Sequence, residues 1–356
     1  MTKLRGEGIA ELVIAWQESH GRNHLPWQQT RDPYKVWLSE IMLQQTQVAT
    51  VLEYYARFLA RFPDVAALAQ ASQDEVMGLW SGLGYYTRAR NLHRCAQQVV
   101  VKHGGVFPQT AEILVTLPGI GRSTAGAIAA FCFSQRVPIL DANVRRVLTR
   151  LLGFENDLAS VRNERLLWSE ADTLLPNKNL ATAMPRYTQG LMDLGASVCT
   201  PRSPACGICP LVSRCVAFER GHPERYPVKT RKLARRSESW QLVILRDAVG
   251  KVWLQRRPSS GIWAGMYCVP VFADMGSAQT FIAPLCAAPG VSCSDLQPFL
   301  HVLTHRDLHL HPILISGELP SEPGEDGAWL GADDWPSVGL PAPIRKLLDS
   351  TQPQLW

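Results

Sequence analysis

No apolar run in the 356-residue chain is long enough to cross a membrane; even Ala125 to Phe133 is broken within a few residues by Gln135 and Arg136. The stretch Met1 to Trp16 lacks the apolar core and cleavage site of a secretory signal, because Lys3, Arg5, Glu7 and Glu11 intersperse it. No membrane association is therefore expected, and a cytoplasmic location is. Glutamate is missing altogether between Ser239 and Gly317. That absence excludes from this stretch a Glu-rich helix able to hold magnesium against a pyrophosphate. A disordered chain is excluded too, since apolar residues make up 46% and charged residues only 19%. The net charge of +5 permits a polyanionic partner without requiring one.

What is present divides into two textures. From Glu7 to about Phe218 apolar residues recur at three- and four-residue spacing, as in Val36 to Phe58, Asp74 to Leu79, Arg88 to His103, Ser123 to Phe133 and Val144 to Leu152. Each is expected to be helical. Tyr226 to Ser239 crowds Lys229, Arg231, Lys232, Arg235 and Arg236 into a segment with little apolar content, which reads as a linker. Beyond Trp240, Gln241 to Arg246 and Lys251 to Arg256 flank a turn at Asp247 to Gly250 and look like paired strands, with His309 to Ser316 a further one. The expected fold is multidomain, α and α+β: a helical domain over 1–225, a basic linker over 226–239 and a smaller α+β domain over 240–356.

Cys199, Cys206, Cys209 and Cys215 are separated by gaps of six, two and five residues. Four thiolates within about one loop make a closed coordination set, so the loop 199–215 is expected to hold a metal centre. Spacing alone does not choose between iron–sulfur and zinc. Two disulfides are the alternative reading, disfavoured because Cys95, Cys132, Cys268, Cys286 and Cys293 are scattered and the total of 9 is odd.

Three segments suggest chemistry. Leu117 to Ala125 has the form of two helices joined by a hairpin over 111–133. Gly119 and Gly121 give the turn its freedom, and the amides of the second helix suit a phosphate oxygen. An ordinary helix–helix turn would look the same. On a helix, Glu40, Gln44 and Gln47 fall on one face inside an apolar segment, where burial would keep the carboxyl protonated as an acid; a solvated stripe is the alternative. Asp141 stands between an apolar run and a new helix, where a plain N-cap also belongs.

The hairpin and the cysteine array, in this order, resemble the endonuclease III superfamily of DNA glycosylases, which implies a 4Fe-4S cluster on the four cysteines. Asp32 to Gln47 looks like the active-site helix of the MutY-type adenine DNA glycosylases. The resemblance implies that Glu40 donates a proton to N7 of adenine. It also implies that Asp141 faces the sugar, where charge develops as the base leaves, with Asn143 hydrogen bonding nearby. Ser123 stands where superfamily members that also cut the backbone have a Schiff-base lysine. A monofunctional enzyme of base excision repair is therefore expected.

The same resemblance supplies the partner, duplex DNA carrying adenine opposite 8-oxoguanine or guanine, and a monomer that would lie on the nucleoid in a bacterium. Base chemistry requires the nucleotide to leave the stack. Gly82 to Tyr86 resembles the family's wedge, with Leu83 and with Tyr85 entering the stack, and Gln45 filling the gap. Core packing of these residues is the alternative. Gln189 and Trp27 match positions at the adenine pocket, and Arg202 is expected to face phosphate. From Trp240 onward, and above all over Gly261 to Pro270, the chain looks like a MutT-like, Nudix-type domain. The family's lesion-sensing loop aligns with Leu303-Thr304-His305. Two other readings compete: a bifunctional pyrimidine-lesion glycosylase, disfavoured by Ser123, and a non-catalytic iron–sulfur DNA binder, disfavoured by Glu40 and Asp141.

Overall fold

The computed structural model describes residues 8–230, 234–320, 323–324 and 326–352. Lys3, Arg5, Glu7, Arg231 and Lys232, which entered the reading of the amino terminus and linker, lie outside the described residues. In chain order the helices are α1 (Ile9–His20), α2 (Pro33–Leu43), α3 (Val48–Arg61), α4 (Val65–Gln70), α5 (Gln73–Leu79), α6 (Thr87–His103) and α7 (Ala111–Leu114). They continue with α8 (Arg122–Phe133), α9 (Ala142–Leu152), α10 (Val161–Thr173), α11 (Leu180–Ser197), α12 (Val216–Glu219), α13 (Met275–Cys286) and α14 (Ala342–Ser350). The chain forms two compact units, one of Met1–Ala69 and Arg94–Lys232, the other of Gln70–His93 and Leu233–Trp356.

In the first unit, α9 shows why these segments are helical. Val144, Val147, Leu148 and Leu151 recur at the spacing of one helix face, and all four are buried. They meet Ile9 and Val13 of α1, Ala127 and Ala130 of α8, and Met184, Tyr187 and Leu191 of α11 in one core. The continuous helix expected over Val36 to Phe58 is instead two. α2 ends at Leu43, and Gln45 takes a left-handed conformation at φ +57°, which turns the chain before α3 begins at Val48. Neither Gln44 nor Gln47 therefore continues the helix that carries Glu40.

The second unit is built on a mixed sheet. The strands are β1 (Arg236–Arg246), β2 (Val252–Arg256), β3 (Tyr267–Cys268), β4 (Val271–Phe272), β5 (Ser292–Asp295), β6 (Phe299–Val302), β7 (Arg306–Ser316) and β8 (Gly327–Leu330). Their main order is β3-β2-β1-β7-β5. β1 runs parallel to β7, with Trp240 opposite Leu310, and antiparallel to β2. Its Leu242 to Leu245 are all buried, as a strand covered on both faces requires. α13 closes one face, where Ala278 and Ile282 pack with Val243, Leu245, Trp253, Ile313 and Ile315.

Three features depart from expectation. β1 starts at Arg236, inside the segment read as linker, and residues 70–93 group with the sheet rather than with the other helices. Within that unit Ser81 Oγ donates to Leu340 O at 3.0 Å, and a Cβ on Gly78 would meet Pro336 O at 2.8 Å. Cys286 and Cys293, which the sequence shows only as scattered cysteines, form a disulfide between the end of α13 and β5. Seven residues of separation across one turn gave no sign of this.

Candidate active site

α2 starts sharply because Asp32 caps it, accepting from Tyr34 N at 2.9 Å, and Pro33 occupies the first helical position. The helix is buried nearly all round, by Tyr34, Val36, Trp37, Leu38, Ser39, Ile41 and Met42, so Glu40 is an acid inside an apolar helix. It opens onto a cavity of about 490 Å³. Burial, and second the neighbouring charge of Asp141, push its carboxyl up to about 8. Asp141 is the N-cap of α9, with Oδ1 accepting from Val144 N at 2.7 Å. Its carboxyl is also raised by burial, opposed by the amides of Val144 and Asn143 and by Arg146 and Arg145. Capping and a place beside Glu40 are thus both realised by one aspartate. Glu40 is thus an acid that holds its proton at neutral pH, beside a second carboxyl that burial raises and that the Val144 and Asn143 amides and the arginines oppose.

The cavity wall brings Trp27, Gln189 and Glu40 together. Trp27 is buried, edge-on to Tyr55 at 5.3 Å. Gln28, which the sequence reading passed over, lines the same cavity with both amide atoms buried and no hydrogen-bond partner. On α11 Gln189 Nε2 donates to Asp193 Oδ1 at 3.0 Å. Asp193 also accepts from Arg22 Nε at 2.6 Å and from Arg22 N at 3.1 Å. Neither was singled out in sequence. The available signal was a charged residue inside Gly190-Leu191-Met192-Asp193-Leu194, one helical turn from Gln189.

The loop before α9 is pinned by Ser123, whose Oγ accepts from Leu140 N at 3.1 Å. Its hydroxyl therefore has a structural partner directly beside Asp141. Asn143 Oδ1 accepts from Arg146 Nη2 at 2.8 Å, while Arg146 Nε donates to Cys199 O at 2.7 Å. α11 passes so close here that a Cβ on Gly195 would lie 2.6 Å from Asn143 Cβ. Four residues on, the buried Arg150 donates from Nη1 to Cys199 Sγ at 3.3 Å and to Thr200 O at 2.7 Å. Its Nη2 reaches Pro201 O at 3.0 Å. Neither arginine is marked in the sequence, because Asn143, Arg146, Thr149 and Arg150 share the polar side of an amphipathic helix.

Cys199, Cys206, Cys209 and Cys215 line one small cavity with Arg150. Among the described residues no three His, Cys, Asp or Glu side chains close on a single ion. Four sulfurs ringing a cavity, rather than meeting at a point, fit a multi-iron cluster better than one zinc. Arg202 is exposed on this loop, with its carbonyl accepting from Thr200 Oγ1 at 3.0 Å.

In the hairpin, Gly119 has φ +78°, a conformation open to glycine. Gly121 is the N-cap of α8 without a side-chain cap hydrogen bond, and a Cβ there would meet nothing within 4 Å. Gln45 is exposed at its left-handed turn. In the second unit, Leu83 is buried and Tyr85 is 45% exposed at φ +49°. Thr304 and His305 are exposed in the β6–β7 turn, closed by Leu303 N donating to Arg306 O at 2.8 Å.

Residues 38–170 match the HhH-GPD superfamily of base excision DNA repair proteins, residues 199–215 the iron-sulfur binding domain of endonuclease III, and residues 241–350 a NUDIX domain. An adenine DNA glycosylase of Buchnera aphidicola (subsp. Acyrthosiphon pisum) is 35% identical over 352 residues, covering 98% of this chain and 99% of its own. The human adenine DNA glycosylase is 32% identical over 422 residues, covering 99% of this chain and 75% of its own. The structure of a thermostable thymine-DNA glycosylase aligns at a TM-score of 0.55 and 27% identity, over 62% of this chain and 99% of that one. A non-covalent endonuclease III–DNA complex shares the fold at a TM-score of 0.51 and 21% identity, over 62% of this chain and 98% of that chain.

Proposed function

Because this chain belongs to the adenine DNA glycosylase family, base excision repair enzymes that carry a 4Fe-4S cluster, we propose that it releases adenine mispaired with 8-oxoguanine or guanine in duplex DNA. The observation that carries the chemistry is Glu40, opening onto a 490 Å³ cavity with its carboxyl raised to about 8 beside Asp141. Protonated Glu40 gives its proton to N7 of the base. The C1′–N9 bond then breaks with its electron pair leaving on adenine, and positive charge develops on the sugar. Asp141, fixed by the amide of Val144, stabilises that charge where water is scarce. Water adds to C1′ and returns a proton to the Glu40 carboxylate, leaving an abasic site. Such acid catalysis is worth about 10²–10⁴-fold.

Asn143 orients the sugar-facing loop, and Trp27, Gln28 and Gln189 hold the base. Gln45, Leu83 and Tyr85 open the duplex, with Leu83 supporting the wedge from beneath. Gly119, Gly121, Ser123 and Arg202 lie along the phosphates, and Thr304 and His305 meet the opposite base. Cys199, Cys206, Cys209 and Cys215 would hold the cluster, which supplies a closed fastening for the basic loop around Arg202. The proposed working regions are a glycosylase region within 1–225 with its hairpin at 111–133 and a recognition region over 240–356, whose first strand reaches back to Arg236 and whose compact unit takes in residues 70–93. The reading also has the chain acting as a monomer in the cytoplasm, on the nucleoid in a bacterial cell.

One assay tests the proposal: a duplex with adenine opposite 8-oxoguanine is incubated with the protein, and free adenine is compared with strand breakage before and after alkali. Adenine release with breaks only after alkali is expected. Breaks before alkali would make it a lyase, which the absence of an amine at Ser123 argues against, and no release would make it a binder.

A further inference from the structure

Gln189 and Asp193 form a donor–acceptor pair whose direction is forced. A carboxylate only accepts, so the amide must present Nε2 to Asp193 Oδ1, as it does at 3.0 Å. Asp193 is only 1% exposed and is also held by Arg22, whose Nε shares Oδ1 with Gln189 at 2.6 Å and whose backbone N donates to Oδ2 at 3.1 Å. A reversed amide would set Gln189 Oε1 against that carboxylate, acceptor against acceptor. Among the described residues Gln189 Oε1 has no protein partner, and Gln189 lines the cavity that holds Glu40.

We propose that Asp193 is a positioning residue for base specificity: it fixes the Gln189 amide so that the cavity receives an acceptor, selecting a 6-amino purine over a 6-oxo purine. Adenine offers a hydrogen-bond donor at its exocyclic nitrogen, whereas a 6-oxo purine offers an acceptor at the same place. An acceptor in the wall pairs with the first and repels the second. A free amide would turn to suit either, because its two ends are nearly the same shape. Rejection therefore depends on the buried carboxylate behind the glutamine rather than on the glutamine alone. The inference rests on the reading that this chain releases adenine.

Asp193→Asn keeps the shape and weakens the compulsion: its NH₂ must face an Arg22 N–H at either position, and when it turns to the Oδ1 side it offers Gln189 a donor in place of an acceptor. Single-turnover release is measured for adenine and for hypoxanthine, each opposite 8-oxoguanine, in the wild type, Asp193→Asn, Gln189→Ala and the double variant. Circular dichroism and iron content check that each is folded. The adenine-to-hypoxanthine rate ratio is expected to fall about tenfold in Asp193→Asn, on the order of one hydrogen bond. It falls similarly in Gln189→Ala and no further in the double variant. An unchanged ratio, an equal slowing of both substrates, or a further fall in the double variant overturns the proposal. If Asp193→Asn does not fold, an unchanged ratio in Gln189→Ala alone overturns it. A wild type that releases neither base overturns the parent reading, whereas adenine release with intact discrimination in the variants overturns this inference alone.

Discussion

The hydroxyl of Tyr85 lies 2.9 Å from Thr304 Oγ1, joining residues 219 positions apart within the sheet-containing unit. The proposed wedge and the proposed lesion-sensing turn are thus in direct contact. Arg88 lies over the Tyr85 ring at 5.5 Å and holds its other side. Tyr85→Phe and Thr304→Val each delete this bond while keeping the shape. Each is expected to reduce the preference for adenine opposite 8-oxoguanine over adenine opposite guanine by about three- to tenfold, with a coupling of about 0.5–1.5 kcal/mol in the double variant. Strict additivity of the two in single-turnover rates would show that the contact carries no recognition.

The raised carboxyl of Glu40 fixes the direction of two pH effects. Adenine release is expected to fall as pH rises through about 8, as the acid loses its proton. Because the folded state binds that proton more tightly, the contribution of Glu40 to stability is complete below its ordinary value of 4.5 and is lost as pH rises toward 8. Glu40→Gln should abolish release and gain stability over the wild type across this window. Denaturant melts of both proteins at several pH values measure it, and parallel curves would disprove the burial of the acid.

Gln28 carries a cost in the free protein, since both of its amide atoms are buried and unpartnered. Gln28→Leu fills similar space without polar atoms. It should stabilise the protein by about 1–2 kcal/mol while slowing adenine release. A variant that is neither more stable nor slower would mean that the amide finds water rather than substrate.

Arg150 touches the first cluster cysteine and satisfies carbonyls of the loop that follows it. Arg150→Leu removes the donors to those part-buried carbonyls and to Cys199, a loss on the order of 1–3 kcal/mol. Lower iron content per chain and faster bleaching of the visible cluster absorbance under a chelator are expected. Unchanged iron content and an unchanged melting midpoint would contradict that role.

What could be read in advance was chemistry carried by contiguous motifs. Glu40 in its apolar helix, Asp141 before α9 and the cysteine spacing each give a local signal, but the role proposed for each comes from the family resemblance and not from near neighbours alone. The end of α2 is hard to read, because the polar run Gln44 to Gln47 contains neither glycine nor proline and helical spacing resumes at Val48, while the turn is made by Gln45. Asp193 and Gln28 matter through partners, or the lack of them, brought together by packing. Arg146 and Arg150 look like the polar side of an amphipathic helix until the loop they hold is in place.

Residues 70–93 belong with a sheet whose first strand begins at Arg236. During synthesis this segment leaves the ribosome long before its packing partners exist. Its Met77, against which Gly339 closes so tightly that a Cβ there would lie 2.6 Å from Met77 Cβ, waits until almost the whole chain has been made. The two units are interlaced in sequence, and no single cut separates them into intact halves. A fragment ending before the sheet would keep Glu40, Asp141 and the four cysteines yet expose the α5 surface that the sheet's own unit covers. Reduced yield and aggregation of such a fragment would then report a missing partner for α5 rather than a defect in catalysis.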